Sequence, residues 1–261
     1  KRGRLVNWLQ DVYPEIAVHL GVLSKQALWT SLMVALRDWS LRRAAANIAI
    51  GTNMGEFIAQ RALNGPPLKV IHNWSPSLNS TFAPEKSNPY RRKFGFAGKI
   101  VFSYSGNLGR AHVFDALIAA AKQINHVQNI EFLIIGGGAR WHAVQDQVRN
   151  SGMTNWHFLP YQSRKDLADS LGAADVHLIS LDQNLEDFVV PSKLYGVLAA
   201  GRPCIFVGSP QGEIARILNN FRCGTSVSPN EVAALARIML ELADSRERRL
   251  QMGANARAAF I

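Results

Sequence analysis

Short apolar runs alternate with helical stretches through the second half of the chain. Residues 100–104, 130–135, 156–159, 176–181 and 204–207 read as strands, and residues 111–124, 141–150, 165–171 and 213–219 as helices. Another helix opens at Pro191 and runs to a glycine stop at Gly201, with Pro203 preventing its continuation. A strand-like segment at 223–227 and two helices complete the pattern. Repeated strand-then-helix units predict an α/β fold, a Rossmann-like parallel sheet with helices on both faces and right-handed crossovers. Ligands of such sheets sit at the carboxyl ends of the strands.

The first 75 residues carry a thinner version of this pattern. Residues 5–9 read as a strand ending in Gln10-Asp11, and residues 14–20 as a short helix. Ser24 can cap a helix reaching about residue 46, with Leu28, Leu32, Leu36 and Trp39 at helical spacing. That stripe fits core packing with a solvated basic face better than a membrane surface, although Trp29, Trp39, Arg37, Arg42 and Arg43 would suit one. A brief strand at 48–50 precedes a helix capped by Thr52, a turn at Asn64-Gly65-Pro66-Pro67 and a strand at 68–71. From 73 to 98 the pattern gives way to Pro, Ser and Asn with a charged run at Arg91-Arg92-Lys93. The expected organisation is therefore a partial N-terminal α/β domain at 1–75, a linker at 76–98 and a C-terminal Rossmann-like domain at 99–261.

Composition narrows the setting. The chain has 261 residues and its longest apolar runs are far shorter than a bilayer crossing requires. The basic start, Lys1 to Arg4, leads into an apolar run too short for a secretory signal. Cys204 and Cys223 lie in apolar strand-like runs, as core thiols of a reducing compartment do, and no zinc-type spacing occurs. A cytoplasmic location is expected. Residues 1–98 hold 13 Lys and Arg against 5 Asp and Glu, a net of +8, while the remainder is close to balanced. Such an excess can face phosphate or an anionic membrane, which leaves peripheral contact with the inner membrane open; no nucleic-acid partner is expected.

Three turns carry candidate chemistry. Ser105-Gly106-Asn107-Leu108-Gly109-Arg110 has glycines that let backbone approach a ligand, and an Arg able to grip phosphate oxygens bidentately. Gly136-Gly137-Gly138 offers bare backbone beside a bulky group. Pro191, Ser192 and Lys193 place a hydroxyl, an ammonium and free N–H groups at a helix start, where anions are favoured. Together they point to a diphosphate site. A dinucleotide fingerprint is a poorer fit, because Trp141 stands where GxGxxG needs its last glycine, and no Walker A sequence exists.

The ordered set YSGNLGRAH (104–112), FLIIGGG (132–138), LPYQ (159–162) and VPSKLYGVLAAGRP (190–203) resembles the C-terminal, donor-binding domain of GT-B glycosyltransferases of family 4. The likeness is greatest to enzymes of bacterial exopolysaccharide, colanic-acid-type and O-antigen assembly. WLQDVYPEIAVHLGVL (8–23), IAIGTNM (48–54) and VIHNW (70–74) resemble the end of the N-terminal domain in that subgroup. The resemblance implies transfer of a sugar from a nucleotide-diphosphate donor to a lipid-linked or polysaccharide acceptor, usually with retention, and without metal or cofactor. It further implies that Gly106, Asn107 and Arg110 surround the donor diphosphate, with Gly136 and Gly137 beside them. Backbone around Pro160, Tyr161 and Gln162 would hold the base, and Ser192 and Lys193 would contact phosphate.

Two departures qualify the likeness. Many family members have two glutamates eight positions apart around the last turn; Phe188 and Gly196 stand there, with Glu186 and Asp187 close by. Many also have a His at the first strand end, where this chain has Gln10-Asp11, and an amide cannot act as a titrating acid or base. A full N-terminal domain of this family needs more strands than the three candidates here, so a piece of a longer protein or a reduced member is expected, weakly active by itself. These departures leave a non-catalytic nucleotide-binding or assembly module as an alternative, and another GT-B enzyme, a sugar-nucleotide epimerase, is a further and less favoured one.

Overall fold

The structure is a computed structural model that describes residues 3–63, 65–75 and 87–260. The opening Lys1 and Arg2, Asn64 of the expected turn and residues 76–86 of the expected linker lie outside the described residues. The chain divides into two compact units. One comprises Lys1–Asn73, Asp182–Pro191 and Gln211–Glu213; the other comprises Trp74–Leu181, Ser192–Pro210 and Ile214–Ile261.

The first unit is built on a parallel sheet of β1 (Val6–Leu9), β2 (Ala46–Ala49) and β3 (Leu68–Val70), in that order. Its helices are α1 (Glu15–His19), α2 (Leu28–Arg43) and α3 (Thr52–Arg61). Buried Asn47 on β2 accepts from Asn7 Nδ2 at 2.9 Å and donates to the Leu41 carbonyl at 3.0 Å. A polar side chain in the interior is thus satisfied on both sides.

Helix α2 does not bury the stripe that its apolar period suggests. Leu28, Leu32, Leu36 and Trp39 are all exposed, Leu28 at 88%, and Trp29 and Met33 join them. The inward face is instead Thr30, Val34, Arg37 and Leu41, also at helical spacing. Its polar members are tolerated because each has a local partner. The Thr30 hydroxyl donates to the Ser24 carbonyl at 2.7 Å. Arg37 pairs with Glu15 at 2.6 Å and with Asp38 at 2.8 Å. Ser24 lies in a turn ahead of the helix and Ala27 is the capping residue, so the serine is no cap and the helix stops at Arg43, short of residue 46.

Nor does Thr52 cap α3. It is the first helical residue, Gly51 precedes it, and its N–H donates to the Glu213 carboxylate at 2.8 Å. A distant carboxylate fills the role of a local side chain at the positive end of the helix.

The second unit is a six-stranded parallel sheet. Its strands are β4 (Ile100–Asn107), β5 (Ile130–Gly137), β6 (Trp156–Leu159), β7 (Val176–Ser180), β8 (Cys204–Val207) and β9 (Gly224–Val227). Their order is β6-β5-β4-β7-β8-β9. The helices between and after them are α5 (Asp115–Gln123), α6 (Trp141–Asn150), α7 (Leu167–Gly172), α8 (Lys193–Ala199), α9 (Glu213–Phe221), α10 (Val232–Asp244) and α11 (Arg246–Phe260). On one face, Phe102, Phe132 and Trp156 from three neighbouring strands stack with centroids 5.7 and 4.6 Å apart. Offset aromatic contact of this kind adds to simple area burial. Cys204 and Cys223 are buried free thiols, as their apolar runs predict.

Within 87–98, the charged run forms a short helix, α4 (Pro89–Lys93), capped by Asn88. Arg91 is buried and meets Asp175 at 2.9 Å, with the carbonyls of Ala173, Phe96 and Lys99 at 2.9, 3.1 and 2.7 Å. Asp175 also accepts from the Val101 N–H at 2.8 Å, which locks the start of β4.

Helices α5 and α7 begin later than their periodicity predicts, since residues 108–114 and 164–166 form turns rather than first helical turns. Helix α8 likewise starts at Lys193 and not at Pro191.

His177 on β7 is fully buried, and one ring nitrogen faces the Leu171 carbonyl at 3.0 Å. Burial lowers its pKa from 6.5 to about 4, partly opposed by that carbonyl. Its neutral form is the folded one, so its contribution to stability is complete above pH 6.5 and lost as pH falls toward 4. Thermal melts should show this acid sensitivity in the native protein and a shallower decline over the same range in His177→Gln.

Candidate functional site

Parallel strands β4 and β7 are neighbours in space but not in sequence, and the strand order reverses between them. Such a switch point is where open α/β sheets open a crevice. Here the parting is visible in the register. β4 pairs with β5 over its whole length, Ile100↔Ile130 to Asn107↔Gly137, but with β7 only at Phe102↔Val176 and Ser103↔His177. Beyond Ser103, β4 runs on toward its carboxyl end without a ladder on that side.

The candidate residues of three turns gather at this end. Gly106 and Gly136 are opposite each other, with φ of 137° and 148°. A Cβ on Gly136 would lie 1.9 Å from the Gly106 carbonyl oxygen, and one on Gly138 2.1 Å from Asn107 Oδ1. Leu108 N–H donates to the Gly137 carbonyl at 2.7 Å and Arg140 N–H to the Leu108 carbonyl at 2.9 Å, which fastens the first turn onto the second. Lys193 reaches the same place from α8: a Cβ on Gly106 would meet its Cε at 3.4 Å and its Nζ at 3.5 Å. Arg110 is exposed on the first turn and has no ion-pair partner among the described residues.

The loop after β6 contributes differently from the expectation. Gln162 Nε2 donates to the Pro160 carbonyl at 2.6 Å, and Gln162 Oε1 accepts from the Tyr90 hydroxyl at 2.8 Å. Part of the backbone expected to read a base is thus already engaged. Exposed Tyr161 lays its ring on Gly137, where a Cβ would come within 3.1 Å of Cε2, and its hydroxyl donates to the Gly137 carbonyl at 3.3 Å. An aromatic platform beside a side-chain-free glycine suits a flat ring.

The remaining turn also needs correction. Pro191 lies outside α8 and Ser192, exposed and without a side-chain capping bond, is the residue before it. Lys193 is the first residue of α8 and carries the amine of this turn. Its amine donates to the Tyr104 hydroxyl and lies 3.9 Å from the centre of the Tyr104 ring. Burial lowers the Lys193 pKa to about 7. His112 packs edge-on against Tyr104 and its Nδ1 lies 2.5 Å from the Ser180 carbonyl, at the end of β7. Burial, with Lys193 nearby, lowers its pKa to about 3, so it is neutral at physiological pH. Neither Tyr104 nor the contact of His112 is foreseeable from spacing. The only sequence signal is that both flank the Gly-Asn turn.

Gln10 and Asp11 belong to the first unit. Gln10 Oε1 accepts from Asn73 Nδ2 at 3.0 Å. Asp11 forms an isolated antiparallel bridge with Val189, and partial desolvation raises its pKa although the residue keeps an exposed surface. In the same unit, Phe188 is buried between His19 and Phe57, with ring centres at 5.2 and 4.9 Å, so an aromatic contact occupies the place of an expected carboxylate. Glu186 is buried as well, with its carboxylate against Gly212, while Asp187 is exposed. Among the described residues no group of three or more His, Cys, Asp or Glu is placed to hold a metal ion.

Residues 86–259 match the family described as Glycosyl transferases group 1. The chain belongs to this family. Over 244 residues it is 29% identical to the probable glycosyltransferase WbjE of Pseudomonas aeruginosa, covering 90% of this chain and 59% of that protein. It is also 29% identical over 138 residues to the putative colanic acid biosynthesis glycosyl transferase WcaI of Escherichia coli, covering 52% of this chain and 34% of WcaI. The chain thus spans 59% of one relative and 34% of the other, under two thirds of either. Among solved structures, Anabaena Alr3699/HepE in complex with UDP superposes with a TM-score of 0.76 at 19% identity, over 98% of this chain and 66% of HepE. That likeness shows a shared fold. Membership of this group 1 family agrees with the GT-B resemblance carried by the motifs at 104–112, 132–138, 159–162 and 190–203.

The Gly106–Gly136 approach gives a direct test of how this family member builds its site. Gly136→Ala combines a left-handed backbone with a collision against carbonyl oxygen, and should cost about 2–5 kcal/mol of stability. Denaturant unfolding reads that loss; Gly152→Ala, where a Cβ meets nothing within 4 Å, should show only the strain of its positive φ.

Proposed function

We propose that this chain serves a glycosyltransferase that moves a sugar from a nucleotide-diphosphate donor to a lipid-linked or polysaccharide acceptor hydroxyl, with retention of configuration. The donor binds the second unit. The observation that carries this reading is the gathering of Gly106, Asn107, Gly136, Gly137, Tyr161 and Lys193 where β4 parts from β7. The first two turns, packed backbone to backbone at the strand ends, would carry the diphosphate. Tyr161, over Gly137, faces the base, and Arg110 and Lys193 meet the phosphate oxygens. UDP in the HepE complex supports a uridine or similar nucleotide here.

Sugar transfer breaks the bond between the anomeric carbon and the β-phosphate oxygen and leaves one further negative charge on the departing nucleoside diphosphate. Preorganised cations stabilise that charge as it develops, without a metal or other cofactor. Ser192 is exposed beside Lys193 and can add a hydroxyl donor. At the strand end of the first unit Asp11, unlike Gln10, can titrate, and its raised pKa fits it to exchange a proton with a sugar hydroxyl. Peripheral contact with the cytoplasmic face of an anionic membrane would bring the enzyme to a lipid-linked acceptor. The exposed Leu28, Trp29, Leu36 and Trp39 of α2, with basic Lys25, Arg42 and Arg43 around them, support that contact. No helix among the described residues is long and apolar enough to cross a membrane.

Calorimetry with UDP and GDP tests the donor site. Arg110→Ala and Lys193→Ala should each weaken the tighter of the two by about 1.5–3 kcal/mol, as for lost charge-assisted hydrogen bonds. Unchanged affinity in both variants rules the assignment out. For the membrane contact, co-sedimentation with phosphatidylglycerol vesicles should fall in Trp29→Ser/Trp39→Ser and with added salt, and binding that ignores both changes contradicts it.

A further inference from the structure

Lys193 is a cation with no carboxylate in ion-pair range among the described residues. Its amine donates to the Tyr104 hydroxyl, and that hydroxyl donates its own proton to the Asn107 carbonyl at 2.9 Å. Burial pushes the Tyr104 phenol pKa up, so the phenol proton stays in place. The hydrogen bonds therefore run in one direction, from amine to phenol to the backbone of the Gly106–Asn107 turn. Tyr104 is wholly buried and fixed by Phe114, whose ring centre is 4.9 Å away. One rigid side chain thus holds both the cation and the turn on which a diphosphate would rest.

We propose that Tyr104 is a positioning residue for a nucleoside diphosphate, its hydroxyl and ring face keeping the Lys193 amine beside the Gly106–Asn107 turn until phosphate oxygens take it over. The proposal rests on the donor-site reading above. The titratable groups around the amine are Tyr104 from β4, His112 from the turn before α5, and Cys204 from β8. The first stays protonated, His112 is neutral above about pH 3, and burial raises the Cys204 thiol, so only the amine changes charge near neutrality. A lysine lowered to about 7 when empty regains its proton when a diphosphate arrives. Binding therefore takes up a proton above pH 7. Removing the phenol oxygen deprives the ammonium of its acceptor, which favours the neutral amine further.

The test is UDP and GDP affinity between pH 7 and 9, above the second ionisation of a terminal phosphate near pH ~6. The native protein should lose affinity with rising pH, by up to ~50-fold across that interval for one proton taken up. Tyr104→Phe, which retains the ring and its packing, should bind more weakly throughout, with the decline displaced to lower pH. Lys193→Arg cannot deprotonate, so its profile should be flat, and adding Tyr104→Phe to it should leave the profile flat. A Tyr104→Phe profile that coincides with the native one overturns the proposal. If neither nucleotide binds the native protein, the donor-site reading fails separately. The amine can then be followed in the empty protein by pH-dependent acetylation at Lys193, read by mass spectrometry. A midpoint lowered in Tyr104→Phe supports the coupling; an identical midpoint overturns it.

Discussion

The parting of β4 from β7 is the constraint on which the second unit depends. Two neighbouring parallel strands share a ladder at only two residue pairs, and the chain must cross the sheet to build both sides of it. Beyond that point the carboxyl half of β4 has a ladder on one side only. Its backbone is then secured by side chains and turns. Leu108 and Arg140 tie it to β5, Tyr104 ties it to α8, and His112 reaches over to the end of β7. Fold and site are thus consequences of one topological break.

Close packing at this break leaves little choice of residue. Gly136 and Gly138 combine positive φ with contacts that exclude a Cβ, and Gly106 has the same backbone with the Lys193 side chain at van der Waals distance. Lys193 is held in turn by what those glycines make room for. The two glycine turns are therefore fixed against each other by backbone contact alone.

Much of this was legible in the sequence. The β-then-α alternation from residue 99 gave the parallel sheet, and the clustering of Gly, Asn, Arg and Lys at successive strand ends marked the edge that matters. What escaped has physical reasons. Strand order cannot be read from periodicity, so the break between β4 and β7 was invisible. The stripe at Leu28, Leu32, Leu36 and Trp39 pointed to the wrong face of α2, because Arg37 on the true inward face is neutralised by Glu15, which is distant in sequence. Thr52 looked like a cap, but Glu213 supplies that function from far along the chain. Tyr104 ends the strand at 100–104 and opens the motif at 104–112, and its two hydrogen bonds are not legible from either.

Arg91 carries a lesson about charge. In the sequence it sits between Tyr90 and Arg92-Lys93 as part of a basic cluster, the kind of run taken for a solvent-facing patch. In the folded unit its guanidinium is enclosed by one carboxylate and three carbonyls, while Arg92 and Lys93 alone face water. The positive field around this helix is consequently weaker than its composition implies. Exposed arginine survives elsewhere, at Arg110 on the first glycine turn and at Arg42 and Arg43 on α2.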